Sequence, residues 1–288
     1  SMDTIFGGKA GGVFFCASDI GWVVGHSYIV YAPLLAGMAT VVYEGLPTYP
    51  DCGVWWKIVE KYQVCRMFSA PTAIRVLKKF PTAQIRNHDL SSLEVLYLAG
   101  EPLDEPTASW VTETLGVPVI DNYWQTESGW PIMAIARGLD DRPSRLGSPG
   151  VPMYGYNVQL LNEVTGEPCA ANEKGMLVIE GPLPPGCIQT IWGDDARFVN
   201  TYWSLFSRQV YATFDWGIRD ADGYYFILGR TDDVINVAGH RLGTREIEES
   251  ISSYPNVAEV AVVGVKDALK GQVAVAFVIP KQSDSLEI

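Results

Sequence analysis

The sequence predicts an α/β protein in three parts: a mixed α/β sheet subdomain over residues 1–144, a small β-barrel subdomain over 145–231, and a partial α+β domain over 232–288. Three observations carry the prediction. Between residues 13 and 144, short apolar runs alternate with segments of helical period, the pattern of strands joined by crossover helices. From about 145 to 230 the helical period disappears and short strand-like runs follow one another between turn residues. After Arg230 the pattern changes again, to a strand, a helix and two strands.

In the first part the expected strands are 40–43, 65–69, 95–99 and 117–120, apolar runs too short for helices. Between them, 54–62 and 71–79 repeat apolar residues at helical spacing. Asp51 stands as N-cap of the first helix, and Pro71 fits the first turn of the second, where no N–H is needed. In the second part the strands are 157–161, 175–180, 211–215 and 223–228, separated by turn-forming stretches such as Asp220-Ala221-Asp222-Gly223. The last part reads as strand 234–237, helix 244–253 capped by Thr244, and strands 257–265 and 274–279.

A chain of 288 residues with 48% apolar and 11% aromatic residues can bury a sizeable core and lies outside the disordered range. A net charge of -12 argues against a nucleic-acid partner, which needs clustered Lys and Arg. No stretch of 18 apolar residues is present and the first nine residues lack the regions of a secretion signal, so a cytoplasmic protein without a membrane partner is expected. Ser1-Met2 reads as a cloning remnant. The odd set Cys16, Cys52, Cys65, Cys169 and Cys187 has no C-x-x-C pair, which favours buried free thiols over a disulfide framework or a zinc site. His26, His88 and His240 are too widely spaced for a metal motif, and the glycine-rich residues 7–12 lack the G-x-x-x-x-G-K spacing of a phosphate loop.

Four segments carry unusual chemistry. Leu98-Ala99-Gly100-Glu101-Pro102 leaves the end of an apolar strand, where open α/β sheets place ligands, and Gly100 lets a flat ring approach the backbone. An ordinary strand-to-loop turn would use the same residues. Asn122-Tyr123-Trp124-Gln125-Thr126-Glu127-Ser128-Gly129-Trp130 also follows an apolar run: Tyr123 can stack on a ring, Thr126 can bond a phosphate oxygen and Glu127 can hold Mg2+. Its alternative is a buried Trp with solvated polar neighbours, although so many unlike chemistries in a row serve packing poorly. Asp215 sits in the apolar run Tyr211-Ala212-Thr213-Phe214-Asp215-Trp216-Gly217, where a carboxylate needs partners such as two ribose hydroxyls, unless it is a turn aspartate at a strand end. In residues 229–244, Arg230 and Arg241 offer fork-shaped donors, and surface charge explains Asp232 and Asp233 but not the glycines Gly239 and Gly243 that bracket His240 and Arg241.

In this order and spacing the segments resemble the adenylate-forming superfamily of acyl-CoA synthetases, adenylation domains and luciferases, and most closely its short-chain acyl-CoA synthetases, the bacterial propionate–CoA ligases. The resemblance extends from Asp19-Ile20-Gly21-Trp22-Val23-Val24-Gly25-His26 to Gly264-Val265-Lys266-Asp267 and beyond. It implies two steps: a carboxylate and MgATP give acyl-AMP and diphosphate, and the CoA thiol then displaces AMP. The implied substrates are propionate, ATP and CoA, with Mg2+ as cofactor. Gly100, Glu101 and Pro102 would line the adenine, and Asp121, Asn122, Tyr123, Trp124, Gln125 and Thr126 would run along the nucleotide, with Tyr123 against the base and Thr126 at the α-phosphate. Glu127 would hold the metal, Asp215 the ribose hydroxyls, Arg230 the ribose or phosphate, and Arg241 the phosphates. Val23, Val24, Ala99 and Trp124 would line the acyl pocket with Trp124 as its floor, Ala99 standing where acetate-activating relatives carry Val. Gly239 would flank the pantetheine tunnel beside Ala238, where an acetate-activating relative has Ser, and Asp232 would be the hinge of a mobile small domain.

The family's phosphate loop, T-S-G-T-T-G-x-P-K-G, does not occur in the chain, and Pro280-Lys281-Gln282-Ser283-Asp284 lacks the Gly-Lys of the family's catalytic-lysine segment. The resemblance therefore implies a piece of a longer enzyme, inactive by itself in acyl-CoA formation. Two rivals stay open: a non-catalytic nucleotide-binding module, and an adenylating enzyme that loads a carrier protein, against which the bulk of Trp124 argues.

Overall fold

A computed structural model describes residues 1–280 except Pro102, Asp141, Asp232, Gly239, Pro255, Ala268 and Leu269, and leaves the side chains of His240, Arg241, Glu246 and Glu249 undescribed. The chain divides into two compact units, Ser1–Val158 with Ile179–Tyr211 and Asp220–Phe226, and Gln159–Val178 with Ala212–Arg219 and Ile227–Ile288.

In the first unit β1 (Val13–Cys16) leads to a π-helix (Gly25–Tyr31), α1 (Ala32–Leu35), β2 (Ala39–Val41), α2 (Val54–Tyr62), β3 (Arg66–Ser69), α3 (Pro71–Lys78), α4 (Ala83–Arg86), β4 (Val95–Ala99), α5 (Glu105–Leu115) and β5 (Val119–Asn122), then a short antiparallel pair, β6 (Met133–Ala134) and β7 (Val151–Pro152). The five longer-range strands form one sheet of order β2-β1-β3-β4-β5, and every pairing in it is parallel. Parallel neighbours need crossovers, and helices lying on both faces explain why β4 is buried along its whole length. On one side Trp55, Trp56, Ile58 and Val59 of α2 join Phe15, Met67, Leu96 and Leu98 in a single apolar cluster. Each such side chain contributes about 1.5–3 kcal/mol by leaving water. On the other side Phe6 meets Phe14, Tyr28, Phe68 and Tyr97 edge-on at centroid distances of 4.7–6.1 Å, the arrangement that ring quadrupoles favour.

The helix starts follow local chemistry. Pro71 opens α3 after an extended Ala70, as its position predicts. Asp51 does not cap α2: the helix starts after Gly53, and Asp51 Oδ1 accepts the Gly53 N–H at 2.8 Å, closing the turn before the helix instead. The sequence reading did not assign α5, yet it has a full set of signals: Asp104 caps the Thr107 N–H at 2.9 Å, Pro106 lies in the first turn and Gly116 ends the helix at φ 67°.

Four further strands, β8 (Asn157–Leu161), β9 (Gly175–Glu180), β10 (Val210–Arg219) and β11 (Tyr225–Arg230), make a sheet of order β11-β10-β9-β8, with α6 (Asp195–Tyr202) preceding β10 in the chain. In the second unit β12 (Val234–Val237), β13 (His240–Gly243), α7 (Thr244–Ser252), β14 (Val257–Asp267) and β15 (Gly271–Pro280) form a sheet of order β13-β12-β15-β14 with antiparallel pairing and α7 against β14. Thr244 begins α7 as its first residue. The architecture is the α/β class that the apolar pattern predicts. Among the described residues no helix is long and apolar enough to cross a membrane.

The loop after β4 is pinned from α3. Arg75 donates to Asp104 at 2.8 Å and to Glu101 at 2.7 Å, while Glu101 Oε1 accepts the Thr72 N–H at 2.7 Å. Burial alone would raise the Asp104 carboxyl, but hydrogen bonds from Arg75 and Thr107 outweigh it and hold the group below the ordinary aspartate range. A depressed folded-state value means that Asp104 stabilises the fold above its unfolded value of about 4 and ceases to do so as pH falls through the lower folded value. In the full-length protein, Asp104→Ala should therefore cost about 1–2 kcal/mol at pH 7 by urea denaturation. That deficit should shrink as the pH is taken below about 4; a deficit independent of pH would separate Asp104 from its ionic partners.

Candidate functional site

The first unit builds its part of the site from strand register. β4 and β5 pair in parallel with Leu98 opposite Asp121 and Ala99 opposite Asn122, so both strands end together and Gly100 and Tyr123 emerge side by side. Asp121 and Asn122 are strand residues, because the ladder with β4 carries β5 two positions beyond the apolar run. Asn122 is 3% exposed and its Nδ2 donates to the carbonyls of Leu98 (3.1 Å) and Ile120 (3.2 Å), tying the two ends. Its Oδ1 is buried with no hydrogen-bond partner, an acceptor that an amino group would satisfy. Gly100 has φ 99°, with nothing within 4 Å of where a Cβ would stand, so glycine is needed there for its backbone rather than for space. The carboxylate of Glu101 is engaged by Arg75 and Thr72, so what Glu101 can offer a ligand is its main chain.

Past β5, Tyr123 bridges to Met133 through backbone hydrogen bonds of 3.0–3.1 Å, and the chain turns tightly through Gln125, Thr126 and Glu127. The buried Ser128 Oγ holds that turn, lying 2.9 Å from the carbonyls of Gln125 and Trp130 and accepting the Gln125 N–H at 3.1 Å. Thr126 is exposed at the apex. Two tyrosines that the motif reading gave no role reach the turn: Tyr202 Oη is 3.1 Å from Glu127 Oε1, and Tyr211 Oη is 3.3 Å from Gln125 Oε1. Among the described residues no group of three or more His, Cys, Asp or Glu gathers as a metal cage. A lone carboxylate beside a hydroxyl suits Mg2+, which keeps its waters and arrives on phosphate oxygens, so the donor set at Glu127 fits that ion.

The four acyl-pocket candidates also belong to the first unit. The Trp124 ring packs on Tyr28 (5.4 Å) and Phe68 (6.4 Å). Tyr28 lies in the π-helix directly after Val23 and Val24, and Ala99 is buried at the end of β4. Tyr28 and Phe68 are the residues sequence reasoning missed; Tyr28 lies in a stretch to which the sequence assigned no element, Phe68 inside the apolar run 65–69. Burial pushes the Tyr28 phenol well above its usual range, so it presents a neutral ring to the indole. Gly25 lets the π-helix approach its own entry: a Cβ there would stand 2.5 Å from Ile20 Cα and 2.6 Å from Asp19 O.

In the second unit Asp215 lies inside β10 rather than at a strand end, which removes the turn-aspartate reading. It is buried, its Oδ1 is 3.7 Å from Arg230 Nη1, and the same guanidinium donates to the Thr213 carbonyl at 3.2 Å. Phe214, next to it, takes φ 61°, a left-handed backbone that costs a bulky residue about 1–2 kcal/mol. The Phe214 carbonyl accepts the Thr231 N–H at 2.8 Å, and the Arg230 guanidinium lies 6.0 Å from the Phe214 ring. Ala238, at φ 50°, opens the turn between the paired Val237 and His240. Pro102, Asp232, Gly239 and the Arg241 side chain lie outside the described residues.

Comparison with known proteins gives consistent matches. The family model described as AMP-binding enzyme matches residues 1–188, and that of the AMP-binding enzyme C-terminal domain matches 246–288. The chain is 96% identical over 286 residues to a propionate–CoA ligase of Salmonella typhimurium strain LT2 (99% of this chain, 46% of that protein). It is 93% identical over 287 residues to a propionate–CoA ligase of Escherichia coli K12 (100% and 46%). It is 45% identical to an acetyl-coenzyme A synthetase of Pyrobaculum aerophilum (98% and 42%). The chain thus spans about half the length of the curated relatives it matches, 46% in the two ligases. A crystal structure of the anthranilate CoA ligase AuaEII with anthranoyl-AMP shares the fold, with a TM-score of 0.81 at 24% identity over 99% of this chain and 52% of that one.

The two glycines distinguish conformation from space. In the full-length protein, Gly100→Ala should cost about 1 kcal/mol, for its backbone alone. Gly25→Ala should cost about 3 kcal/mol, because the atoms its Cβ meets are backbone and yield little. Urea midpoints should therefore fall in the order wild type, Gly100→Ala, Gly25→Ala, and the reverse order would displace the π-helix entry described above.

Proposed function

The chain belongs to the AMP-binding enzyme family, and we propose that the whole protein of which it forms part joins propionate to coenzyme A while ATP is cleaved to AMP and diphosphate. A propionate oxygen attacks the α-phosphorus and diphosphate leaves, giving propionyl-AMP. The CoA thiolate then attacks the acyl carbon, and AMP leaves. The near-identity to two propionate–CoA ligases supports the activity. The observation that supports the choice of acid is Trp124, an indole braced by Tyr28 and Phe68; on this reading it is the floor of an acyl pocket that Ala99 also lines and leaves room only for a very short chain.

On this reading the adenine lies by Gly100, the main chain of Glu101 and Pro102, and the face of Tyr123, with its amino group meeting Asn122 Oδ1. Asp121, Trp124 and Gln125 frame the nucleotide, and the exposed Thr126 hydroxyl meets the α-phosphate. Mg2+, when bound at Glu127, supplies charge neutralisation for the triphosphate. Asp215, with Arg230 beside it, accepts the vicinal ribose hydroxyls, Arg230 itself serves the ribose or phosphate, and Arg241 meets the phosphates, so developing charge faces fixed donors. Val23 and Val24 line the acid, Ala238 and Gly239 flank the pantetheine arm, and Asp232 is the hinge. Residues 1–144 and 145–231 would then be two subdomains of the adenylating region and 232–288 part of the mobile small domain. ATP and CoA place the work in the cytoplasm.

Two measurements on the full-length protein test this reading. Asp215→Ala should weaken ATP binding by about 1 to 3 kcal/mol through lost charge-assisted hydrogen bonds, as read by calorimetry. An unchanged affinity would remove Asp215 from the ribose. For the acid, kcat/KM should favour propionate over acetate by roughly 10-fold or more, since one methylene in a tight pocket discriminates by about 1–3 kcal/mol. Ala99→Val should shift that ratio toward acetate and Trp124→Gly should admit longer acids; a propionate-to-acetate ratio that Ala99→Val does not lower would overturn the pocket assignment.

A further inference from the structure

We propose that Tyr202 is a positioning residue for the Glu127 carboxylate, with Tyr211 as the plate that holds its ring in place. The inference rests on the reading of Glu127 as the metal carboxylate and adds a residue to it. Tyr202 is the last residue of α6, a helix that buries none of its side chains. Its ring therefore does not serve a core. It lies instead flat on Tyr211, with centroids 5.1 Å apart and planes 8° from parallel, and Phe198 and Trp203 pack around the pair at 5.8 and 6.0 Å.

The stack aims two hydroxyls at one turn. Tyr202 donates to Glu127 Oε1 and Tyr211 to Gln125 Oε1, so the residues on either side of Thr126 are each held from the same aromatic pair. Ser128 fixes the backbone of that turn and cannot orient the carboxylate; Tyr202 can. A carboxylate with one oxygen accepting a fixed O–H keeps its plane, and so its other oxygen, in one direction. Partners of this kind behind a metal ligand commonly change metal affinity by an order of magnitude or more.

Mn2+ serves as the spectroscopic stand-in for Mg2+ in the test. In the full-length protein with the non-hydrolysable analogue α,β-methylene-ATP, Mn2+ is titrated by electron paramagnetic resonance, and AMP affinity is measured separately without metal. Tyr202→Phe keeps the ring and the stack and removes only the hydroxyl. It should lower Mn2+ affinity on the order of 10-fold and leave metal-free AMP affinity unchanged. Tyr211→Phe, which spares the Tyr202 hydroxyl, should keep wild-type Mn2+ affinity. Glu127→Gln reports on the underlying reading: if it leaves Mn2+ affinity intact, Glu127 is not the metal carboxylate and the inference falls with it. If Glu127→Gln weakens Mn2+ binding while Tyr202→Phe does not, or if Tyr202→Phe weakens AMP equally, or if Tyr211→Phe matches Tyr202→Phe, the positioning role alone is overturned.

Discussion

Two parallel strands that end at the same level, β4 and β5, are the constraint on which the first unit depends. Parallel pairing forbids a hairpin between them, so α5 must carry the chain back across the sheet before β5 can begin. With the register set at Ala99 opposite Asn122, the two polar segments have nowhere to emerge except beside one another. A slip by one residue would bring Asn122 to the other face and remove both bonds that its amide makes to the strand carbonyls.

The polar groups around this edge fall into two sets. Arg75, Asp104, Glu101 and the Thr72 N–H satisfy one another and immobilise the loop after β4. Ser128 does the same for the turn after β5. The second set differs, with the Asn122 Oδ1 buried but unbonded and Thr126 exposed at the apex. The second unit repeats the division within a few residues: the Arg230 guanidinium lies by Asp215 while also anchored to the Thr213 carbonyl. A guanidinium anchored in this way sets a fixed positive charge beside the buried Asp215 carboxyl.

The fold was most legible where apolar runs end at turn residues. β4, α2, β8, β9 and β12 begin and end where the sequence pattern does; Gly100, Asn162 and Gly181 close β4, β8 and β9, while α2 starts after Gly53 and β12 after Asp233. β5 begins later than the apolar pattern because Pro118 brings no N–H to a ladder, and it extends through Asp121 and Asn122 because pairing overrides their polarity. The π-helix over Gly-His-Ser-Tyr-Ile-Val-Tyr was not assigned from the sequence, since its β-branched and aromatic residues give no clear helical signal. α6, which buries no side chain, was not assigned from the sequence either, although Phe198, Val199 and Tyr202 share one helical face. Of the candidate site, the motif residues were legible by chemistry, while Tyr202, Tyr211 and Tyr28 were not, because each reaches its partner from a distant part of the chain and only the fold brings them near.

The order β2-β1-β3-β4-β5 also sets how this site can come into being. Every contact in the sheet closes a loop at least one crossover long, and the chain must spend that entropy before any pairing repays it. The central strand β3 pairs with both β1 and β4, so collapse there organises the largest share of the sheet from the fewest closures. The edge where Gly100 and Tyr123 meet needs the last crossover as well. The polar edge of the first unit therefore exists only in a sheet that already includes β5, and a chain whose β5 is unpaired has no such edge.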